Sequence, residues 1–237
     1  MLFDELNWMD VEHYLTHHDN RVIVITGACE QHAYLSLLSD VRAPLAIAQA
    51  AVGFESVLIA PPLPYGISPY FTAYPGTISL SPETFSAVVR EVLTGLIGQG
   101  FKGVLVSNGH GGNTDTLRNL LVELGGQHPD VTFDLFEWWK DERVVNVAAA
   151  AGLPPNHANW LEALPTNRVG DLPDGEKEPP TLSRVAPPQA VREALGDGSY
   201  GGPYRAPDAV MDRVFEAAVT SMVERLRALG GQRGAAS

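Results

Sequence analysis

Residues 21–32, RVIVITGACEQH, decide the fold of this chain. The first six form an apolar run, rich in Val and Ile, that does not alternate with polar residues. Such a run is typical of a strand buried on both faces of a sheet. Similar runs occur at residues 56–60 (SVLIA), 103–107 (GVLVS) and 131–136 (VTFDLF). The sequence therefore predicts a sheet of buried, mostly parallel strands.

Helical patterns fill the intervals between these runs. The clearest begins at Ser81, a favourable N-cap residue, with Pro82 at the first helical position, and it stops before Gly100. Further helices are predicted for residues 44–52, 113–124 and 208–229. Because crossovers between parallel strands are right-handed and cover both faces of a sheet, this order predicts an α/β fold, a three-layer α/β/α sandwich.

The chain is expected to form one domain over residues 1–229. Within it, residues 164–207 are rich in Pro and Gly and are predicted to be a long loop excursion. Residues 230–237 are expected to be a disordered tail.

The charge balance bears on partners. The chain has 28 acidic and 16 basic residues and a formal net charge of −12, which argues against nucleic acid or an anionic membrane as a partner. No apolar stretch reaches the roughly 20 residues of a membrane span, and the acidic start does not match a signal peptide. We therefore expect a cytoplasmic protein that acts on a small molecule.

Cys29 is the single cysteine of the chain. A lone thiol excludes an intramolecular disulfide and a thiolate-cage zinc site, so imidazole and carboxylate are the expected metal ligands. Cys29 is interpreted as a small buried side chain and not as a nucleophile, because no basic neighbour would lower its pKa.

Potential ligands follow two of the predicted strands. Glu30, His32 and Asp40 come after the first strand, and His110 comes after the third. Ligands of such sheets bind at the carboxyl ends of the strands, where these side chains are expected to meet. Each residue alone is also typical of a solvated loop, but their joint placement favours a site for Zn²⁺, Mn²⁺ or Fe²⁺.

Residues 108–113, NGHGGN, do not match a phosphate-binding motif. A P-loop requires Gly-Lys-Ser/Thr, and no lysine lies between Lys102 and Lys140. A dinucleotide fingerprint requires glycine where Thr114 stands. The glycines are instead expected to let the backbone approach a ligand. The expected substrate-binding residues of this segment are Gly111, Gly112 and Asn113.

A third polar segment includes His157 and Glu162. The two are five residues apart and do not share a helical face, but a bent loop would direct both into one cavity. Three tryptophans near this segment are candidates for lining a substrate pocket, although tryptophan more often packs in a core. They are Trp138, Trp139 and Trp160.

Together these segments resemble the creatininase (creatinine amidohydrolase) family. The resemblance covers roughly residues 22–162 and rests on several motifs in the same order. They are residues 27–32 (GACEQH), Asp40, residues 61–66 (PPLPYG), residues 71–83 with PGTISL at 75–80, residues 108–113, and the pair His157 and Glu162.

The resemblance implies a metal-dependent hydrolase of non-peptide carbon–nitrogen bonds, in cyclic or formyl amides, that assembles as a homohexamer. It implies two divalent ions, with Glu30 and His110 on one, His32 on the other and Asp40 bridging both. Creatininase itself has a glutamate where this chain has Gly112, so Glu162 is the candidate fifth ligand. His157 matches a histidine that shuttles protons.

Asn159 replaces a usual glycine of the family pattern, Ala163 and Leu164 replace Thr-Ser, and the interval from Glu30 to Asp40 is one residue shorter. We therefore expect a dinuclear amidohydrolase in which a metal-bridged hydroxide attacks a small cyclic or formyl amide, with creatinine a doubtful substrate. A formamidopyrimidine-type deformylase or a peptidase is an alternative within the family. A non-catalytic small-molecule-binding α/β protein is an alternative outside it.

Overall fold

The computed structural model describes residues 1–183 and 185–230. Six strands are present in this part of the chain: Arg21–Thr26 (β1), Leu58–Ile59 (β2), Gly103–Asn108 (β3), Thr132–Glu137 (β4), Glu176–Lys177 (β5) and Gly202–Pro203 (β6). The α-helices of the same part are Trp8–His17 (α1), Ser39–Ala51 (α2), Pro82–Gln99 (α3), Thr114–Gln127 (α4), Glu142–Ala151 (α5), Pro188–Leu195 (α6) and Asp208–Ala228 (α7).

The central sheet has the strand order β2-β1-β3-β4, and its pairs are all parallel. Strands β1, β3 and β4 end in register, because Thr26 pairs with Asn108 and Asn108 with Glu137. The segments that follow β1 and β3 therefore leave the same edge of the sheet side by side.

Helices cover both faces of this sheet. On one face, Ile23 and Ile25 of β1 are fully buried in a core with α2, α5 and α7. On the other, Val22 and Val24 are fully buried in a core with α1, α3 and α4. Burial on both faces explains why β1 has no alternation of polar residues. The predicted three-layer α/β/α sandwich with a parallel sheet is confirmed.

The prediction for residues 164–207 was incomplete. The segment contains helix α6 and an antiparallel ribbon of β5 and β6, in place of a structureless excursion. Val191 and Leu195 of α6 pack with Phe71 and Tyr74, which explains why so short a helix is stable here. Apart from Gly230, the predicted tail lies outside the described residues.

None of the helices in the described ranges combines the length and hydropathy that a membrane crossing requires.

Candidate metal centre

Four of the predicted ligands meet at the carboxyl edge of the sheet. Glu30 and His32 lie in the loop after β1, His110 follows β3, and Asp40 lies in the first turn of α2. All four side chains are buried, with at most 7% of any residue exposed. Polar groups are seldom buried without paired partners, so this arrangement calls for a chemical explanation.

Two glycines allow α2 to approach the strand ends. A Cβ atom on Gly27 or on Gly109 would overlap the backbone carbonyl of Asp40. Pro44, four residues after Asp40, has no N–H to donate to that carbonyl, so the usual helical hydrogen bond is missing here. The close approach places the Asp40 side chain between His32 and His110.

Asp40 faces both histidines. Its Oδ1 lies 2.9 Å from His32 Nε2, and its Oδ2 lies 2.9 Å from His110 Nδ1. Although these atoms are close, His32 Nε2 and Asp40 Oδ2 have no hydrogen-bond partner, and neither has Glu30 Oε1. Buried atoms that approach without pairing are expected of ligands directed at a common cation.

The donor atoms form two sets that share Asp40. The first consists of Glu30, Asp40 and His110, and the second of His32, Asp40 and Glu162, with the atoms of each set within 4.8 Å of one another. Glu30 Oε2 lies 3.7 Å from His110 Nδ1, and Glu162 Oε2 lies 3.8 Å from His32 Nε2. Imidazole and carboxylate donors in this number fit Zn²⁺, Mn²⁺ or Fe²⁺.

His32 and His110, the two candidate ligand histidines, have defined tautomers. His32 Nδ1 lies 3.0 Å from the carbonyl of Glu30, and His110 Nε2 lies 2.9 Å from the carbonyl of Ile67. Because a carbonyl only accepts, these ring nitrogens carry the protons in the neutral form. The opposite nitrogen of each ring therefore presents its lone pair to the donor sets, as metal ligation requires.

Burial shapes the acidity of the carboxylates. It raises the pKa of Glu30 to about 7 and also raises the pKa of Glu162. Asp40 is the exception. Burial alone would raise its pKa, but the facing imidazoles of His32 and His110 outweigh burial and hold it well below the usual range.

The pKa values of the histidines shift in opposite directions. Burial disfavours a charged imidazole, yet the carboxylates of Glu30 and Asp40 outweigh it and raise the pKa of His110 to about 9. The pKa of His32 is raised well above its usual value for the same reason, with Asp40 the main contributor. Burial, followed by repulsion from His32, lowers the pKa of His157 to about 3. In the metal-free protein, the positive charge of His110 therefore offsets part of the negative charge of the carboxylates.

Glu162 reaches the second donor set from a bent loop. Its Oε2 accepts a 2.6 Å hydrogen bond from the backbone N–H of Ala158, which has a positive φ of 54°. Asn159 fixes this bend, because its buried side chain accepts from Leu161 N and donates to the carbonyl of Pro154. A polar side chain at the position of the usual glycine therefore has a structural role.

Gly112 has no space for a side chain in this backbone. A Cβ atom at that position would overlap the carbonyl of Ile67 and lie 2.5 Å from His110 Nε2. Besides Asp40, the acidic group near His32 is Glu162, whose Oε2 lies 3.8 Å from His32 Nε2.

His157 lies beside the donor sets and lines the cavity into which they open. Its ring stacks on Phe71 with centroids 4.8 Å apart and planes at 14°, and it meets Tyr200 edge-on at 5.3 Å. Its Nδ1 lies 3.9 Å from Glu30 Oε2, which forms a third set of close donors with His32.

The tryptophan prediction needs correction. Trp138 and Trp160 are 2% and 0% exposed and belong to the core on the α2–α5–α7 face, because each packs its ring among apolar side chains. Trp139 alone of the three lines the cavity. Asn113 is also absent from the cavity wall, because its amide bonds to Ile67 N and to the carbonyl of Gly27.

The donor sets open into a cavity of about 340 Å³. Gly111 and Gly112, the predicted substrate-binding glycines, line it. Phe71, Asn156 and Tyr200, which the sequence did not single out as site residues, line it as well. The sequence contained a signal for Tyr200, because glycines at 198, 201 and 202 surround it. In the structure all three have positive φ and form a tightly constrained turn. A larger cavity of about 650 Å³, lined by Arg168 and Arg205 among others, lies apart from the donor sets.

Comparisons with known proteins identify the family to which this chain is similar. The family model "Creatininase: Creatinine amidohydrolase" matches residues 4–226. A mycofactocin precursor peptide peptidase of Mycolicibacterium smegmatis is 32% identical over 87% of this chain and 84% of its own length. The creatinine amidohydrolase of Pseudomonas putida is 28% identical over 45% of this chain, and the match spans 43% of that relative. A second peptidase relative, from Mycobacterium ulcerans, is matched over 47% of its length.

Solved structures share the fold. A structure described as creatininase Mn has a TM-score of 0.78 at 21% identity, covering 96% of this chain and 97% of that one. A mutant creatininase of the Zn-Zn type has a TM-score of 0.75 at 20% identity, with coverage of 96% and 97%. Because the family model matches residues 4–226, nearly the whole of this chain, the chain belongs to the creatininase family.

Proposed function

We propose that this protein is a metal-dependent amidohydrolase with two divalent ions, Zn²⁺, Mn²⁺ or Fe²⁺. The observation that carries the proposal is the pair of donor sets that share Asp40, with buried oxygen and nitrogen atoms left without hydrogen bonds. Its solved relatives described as Mn and Zn-Zn types support the same choice of ions.

The proposed ligands are divided between two positions. Glu30 and His110 would hold one ion, His32 and Glu162 would hold the other, and Asp40 would serve both. When bound, such ions would supply Lewis acidity and would lower the pKa of a water toward neutrality. The carbonyl partners of His32 Nδ1 and His110 Nε2 keep both rings in the ligand tautomer.

Other residues shape the site for an amide. His157 and Glu162 are the proposed catalytic side chains, because both face the cavity beside the donor sets. Phe71 and Tyr200 pack around His157 and restrict water at its ring. Trp139 and the backbone of Gly111 and Gly112 form the proposed substrate contacts. A cavity of about 340 Å³ suits a small cyclic or formyl amide.

A second candidate, hydrolysis of a longer peptide-like amide, is favoured by one specific observation. A neighbouring cavity of about 410 Å³ shares Asn156 and Tyr200 with the first and is lined by Tyr70, Leu182 and Leu195 among others. An apolar extension of this size would receive more of a substrate than a single small ring. The 32% identical relative is a peptide peptidase.

One experiment tests the proposal and separates the candidates. The purified protein is expected to hold close to two transition ions per chain. Removal of the ions by a chelator should abolish hydrolysis, and Zn²⁺ or Mn²⁺ should restore it. The substrate panel comprises creatinine, N-formyl amides, lactams and short peptides with apolar ends. Preference for the peptides would favour the second candidate.

The alternative of a non-catalytic binding protein makes the opposite prediction. It requires that no panel amide is hydrolysed by the metal-loaded protein and that ligand binding is unchanged after chelation. Native protein that is active without transition ions would contradict the metal-dependent mechanism itself.

A further inference from the structure

Gln31 stands between two proposed ligands, Glu30 and His32, but its side chain points to a different partner. Its backbone N–H donates to Thr77 Oγ1 at 3.0 Å, which anchors the residue. Its side-chain nitrogen lies 2.9 Å from His157 Nε2. The amide therefore forms the hydrogen bond to the ring edge opposite the one that faces the donor sets.

Two backbone groups fix which way this amide points. Gln31 Oε1 accepts from the N–H of Ala33 at 3.1 Å, and Nε2 donates to the carbonyl of Gly198 at 3.1 Å. A backbone N–H only donates and a backbone carbonyl only accepts. If the amide were flipped, both contacts would be repulsive. The group that faces His157 is therefore the NH₂.

The orientation of the amide determines which ring nitrogen of His157 carries the proton. Because the NH₂ group donates, His157 Nε2 must present its lone pair, and the single ring proton of neutral imidazole lies on Nδ1. Nδ1 is on the side of Glu30 Oε2, 3.9 Å away. The stack on Phe71 supports the plane of the ring in this orientation. A protonated Nδ1 is unable to ligate a metal, so the third donor set is excluded as an ion site.

We propose that Gln31 is a positioning residue that holds His157 as neutral imidazole with an N–H directed at the substrate. His157 then serves as a fixed hydrogen-bond donor to the amide oxygen, where negative charge develops. This inference rests on the proposed amide hydrolysis for its chemical meaning, but the tautomer itself does not. Neutral imidazole donors of this kind are a recognised means of polarising a carbonyl.

The test measures the tautomer directly. Protein loaded with diamagnetic Zn²⁺ and labelled with ¹⁵N in its histidine rings is examined by long-range ¹H–¹⁵N NMR, with His157 assigned by loss of its signals in His157→Ala. We expect Nδ1 to resonate as the protonated nitrogen and Nε2 as the unprotonated one. Nε2–H in the wild-type protein would overturn the proposal, whether or not any variant folds.

Variants then link the tautomer to rate. In Gln31→Glu a carboxylate replaces the donor, so the proton should move to His157 Nε2, and kcat for the panel amide that the wild type hydrolyses fastest should fall about 10²-fold or more. KM should change little and Zn²⁺ content should stay at the wild-type level. The matched control is Thr77→Val, which removes an anchor of the same residue but leaves its amide, and it should retain the Nδ1–H signature.

The outcomes are separable from the proposed function. If no panel amide is hydrolysed but Nδ1–H is observed, the amidohydrolase proposal fails and the positioning by Gln31 stands. A Gln31→Glu protein with the moved proton and wild-type kcat would overturn the catalytic meaning of the tautomer.

Discussion

At the scale of single residues, Asp40 connects the two donor sets. Its two oxygens face different histidines, each at 2.9 Å. His32, Glu30, His110 and Glu162 each belong to only one of the two proposed ion positions. Substitution of different ligands should therefore lead to the loss of different numbers of ions.

Asp40→Ala is expected to lose both ions, whereas His110→Ala should lose at least one and stay folded. The reason is that only the Asp40 carboxylate serves both proposed positions. Metal content per chain, measured by mass spectrometry of the dialysed protein, checks this. The exposed Asp130→Ala, which breaks only an ion pair with Lys102, serves as control and should keep both ions. Two ions in Asp40→Ala would contradict the shared-ligand arrangement.

Protons should compete with metal in this cluster. The pKa of His110 is raised to about 9, so this ring is protonated at pH 7 without metal and must lose that proton to bind it. The neighbouring carboxylates raise the pKa of His32 as well. Zn²⁺ affinity should therefore rise with pH, by about tenfold per unit for each proton displaced, and level off above about pH 9.

Calorimetric titration with Zn²⁺ in buffers of different ionisation enthalpy measures these protons. His157→Gln is the control, because the pKa of His157 is lowered to about 3 and this ring holds no extra proton at pH 7. The number of protons released should be the same in that variant. Binding heats that do not depend on the buffer would refute proton displacement.

The candidate ligands were predictable from the sequence, but the side chains that pack around the site were not. Glu30, His32, Asp40 and His110 follow strands, and strand ends share one edge in any parallel sheet. The contact of Phe71 with His157 depends instead on how distant loops pack. No spacing in the sequence encodes such packing.

At the scale of secondary-structure elements, the start of α2 positions the site. The sequence predicted a helix over residues 44–52, but α2 begins at Ser39 and contains Pro44 within it. The proline is tolerated because the carbonyl it would bond faces the strand-end glycines. Helix α5 was missed, although Asp141 as N-cap and Gly152 as left-handed C-cap were readable signals.

Gly109→Ala should disrupt the metal centre through this contact. Its Cβ would overlap the Asp40 carbonyl and approach Pro44, so α2 must move away. We expect a loss of about 1–3 kcal/mol in the free energy of unfolding and a loss of bound metal. Denaturant unfolding and metal analysis measure both effects.

Gly111→Ala is the matched control for this substitution, because it adds the same methyl group two residues away with nothing within 4 Å. It should retain stability and metal. Equal behaviour of the two variants would refute the role of the close approach.

At the scale of the whole molecule, the fold was the most predictable feature. The buried strands are apolar on both faces, and β1 ends where the sequence pattern ends, at Thr26. The segment 164–207 was less predictable, because α6 and the β5–β6 ribbon depend on long-range packing.

Metal removal should destabilise the entire protein. The ions would bind the folded chain and not the unfolded one, so each site adds about 3 kcal/mol at a free concentration 100 times its Kd. For a chain of this length, chelation should lower the thermal midpoint by roughly 10 °C or more. Scanning calorimetry with and without chelator, followed by Zn²⁺ addition, measures the change. An unchanged midpoint would argue against tight ion binding.

Self-association stays a prediction at this scale. Several large apolar side chains are exposed in the single chain, among them Trp8 at 71% and Phe54 at 69%. Such exposure is costly unless another surface covers it. Light scattering should therefore give a mass several times 25.5 kDa, with a hexamer expected from the family resemblance. A monomeric mass would contradict it.

The distribution of the ligands along the chain has a consequence for biosynthesis. A growing chain has all residues of the first donor set once His110 has been added, but it lacks Glu162 of the second set until much later. Helix α7, which buries the face of the sheet beneath α2, is made last of the helices in the described residues. The candidate centre is thus completed late in synthesis of the chain. A chain terminated between His110 and Glu162 would contain the candidate ligands for one ion but not those for both.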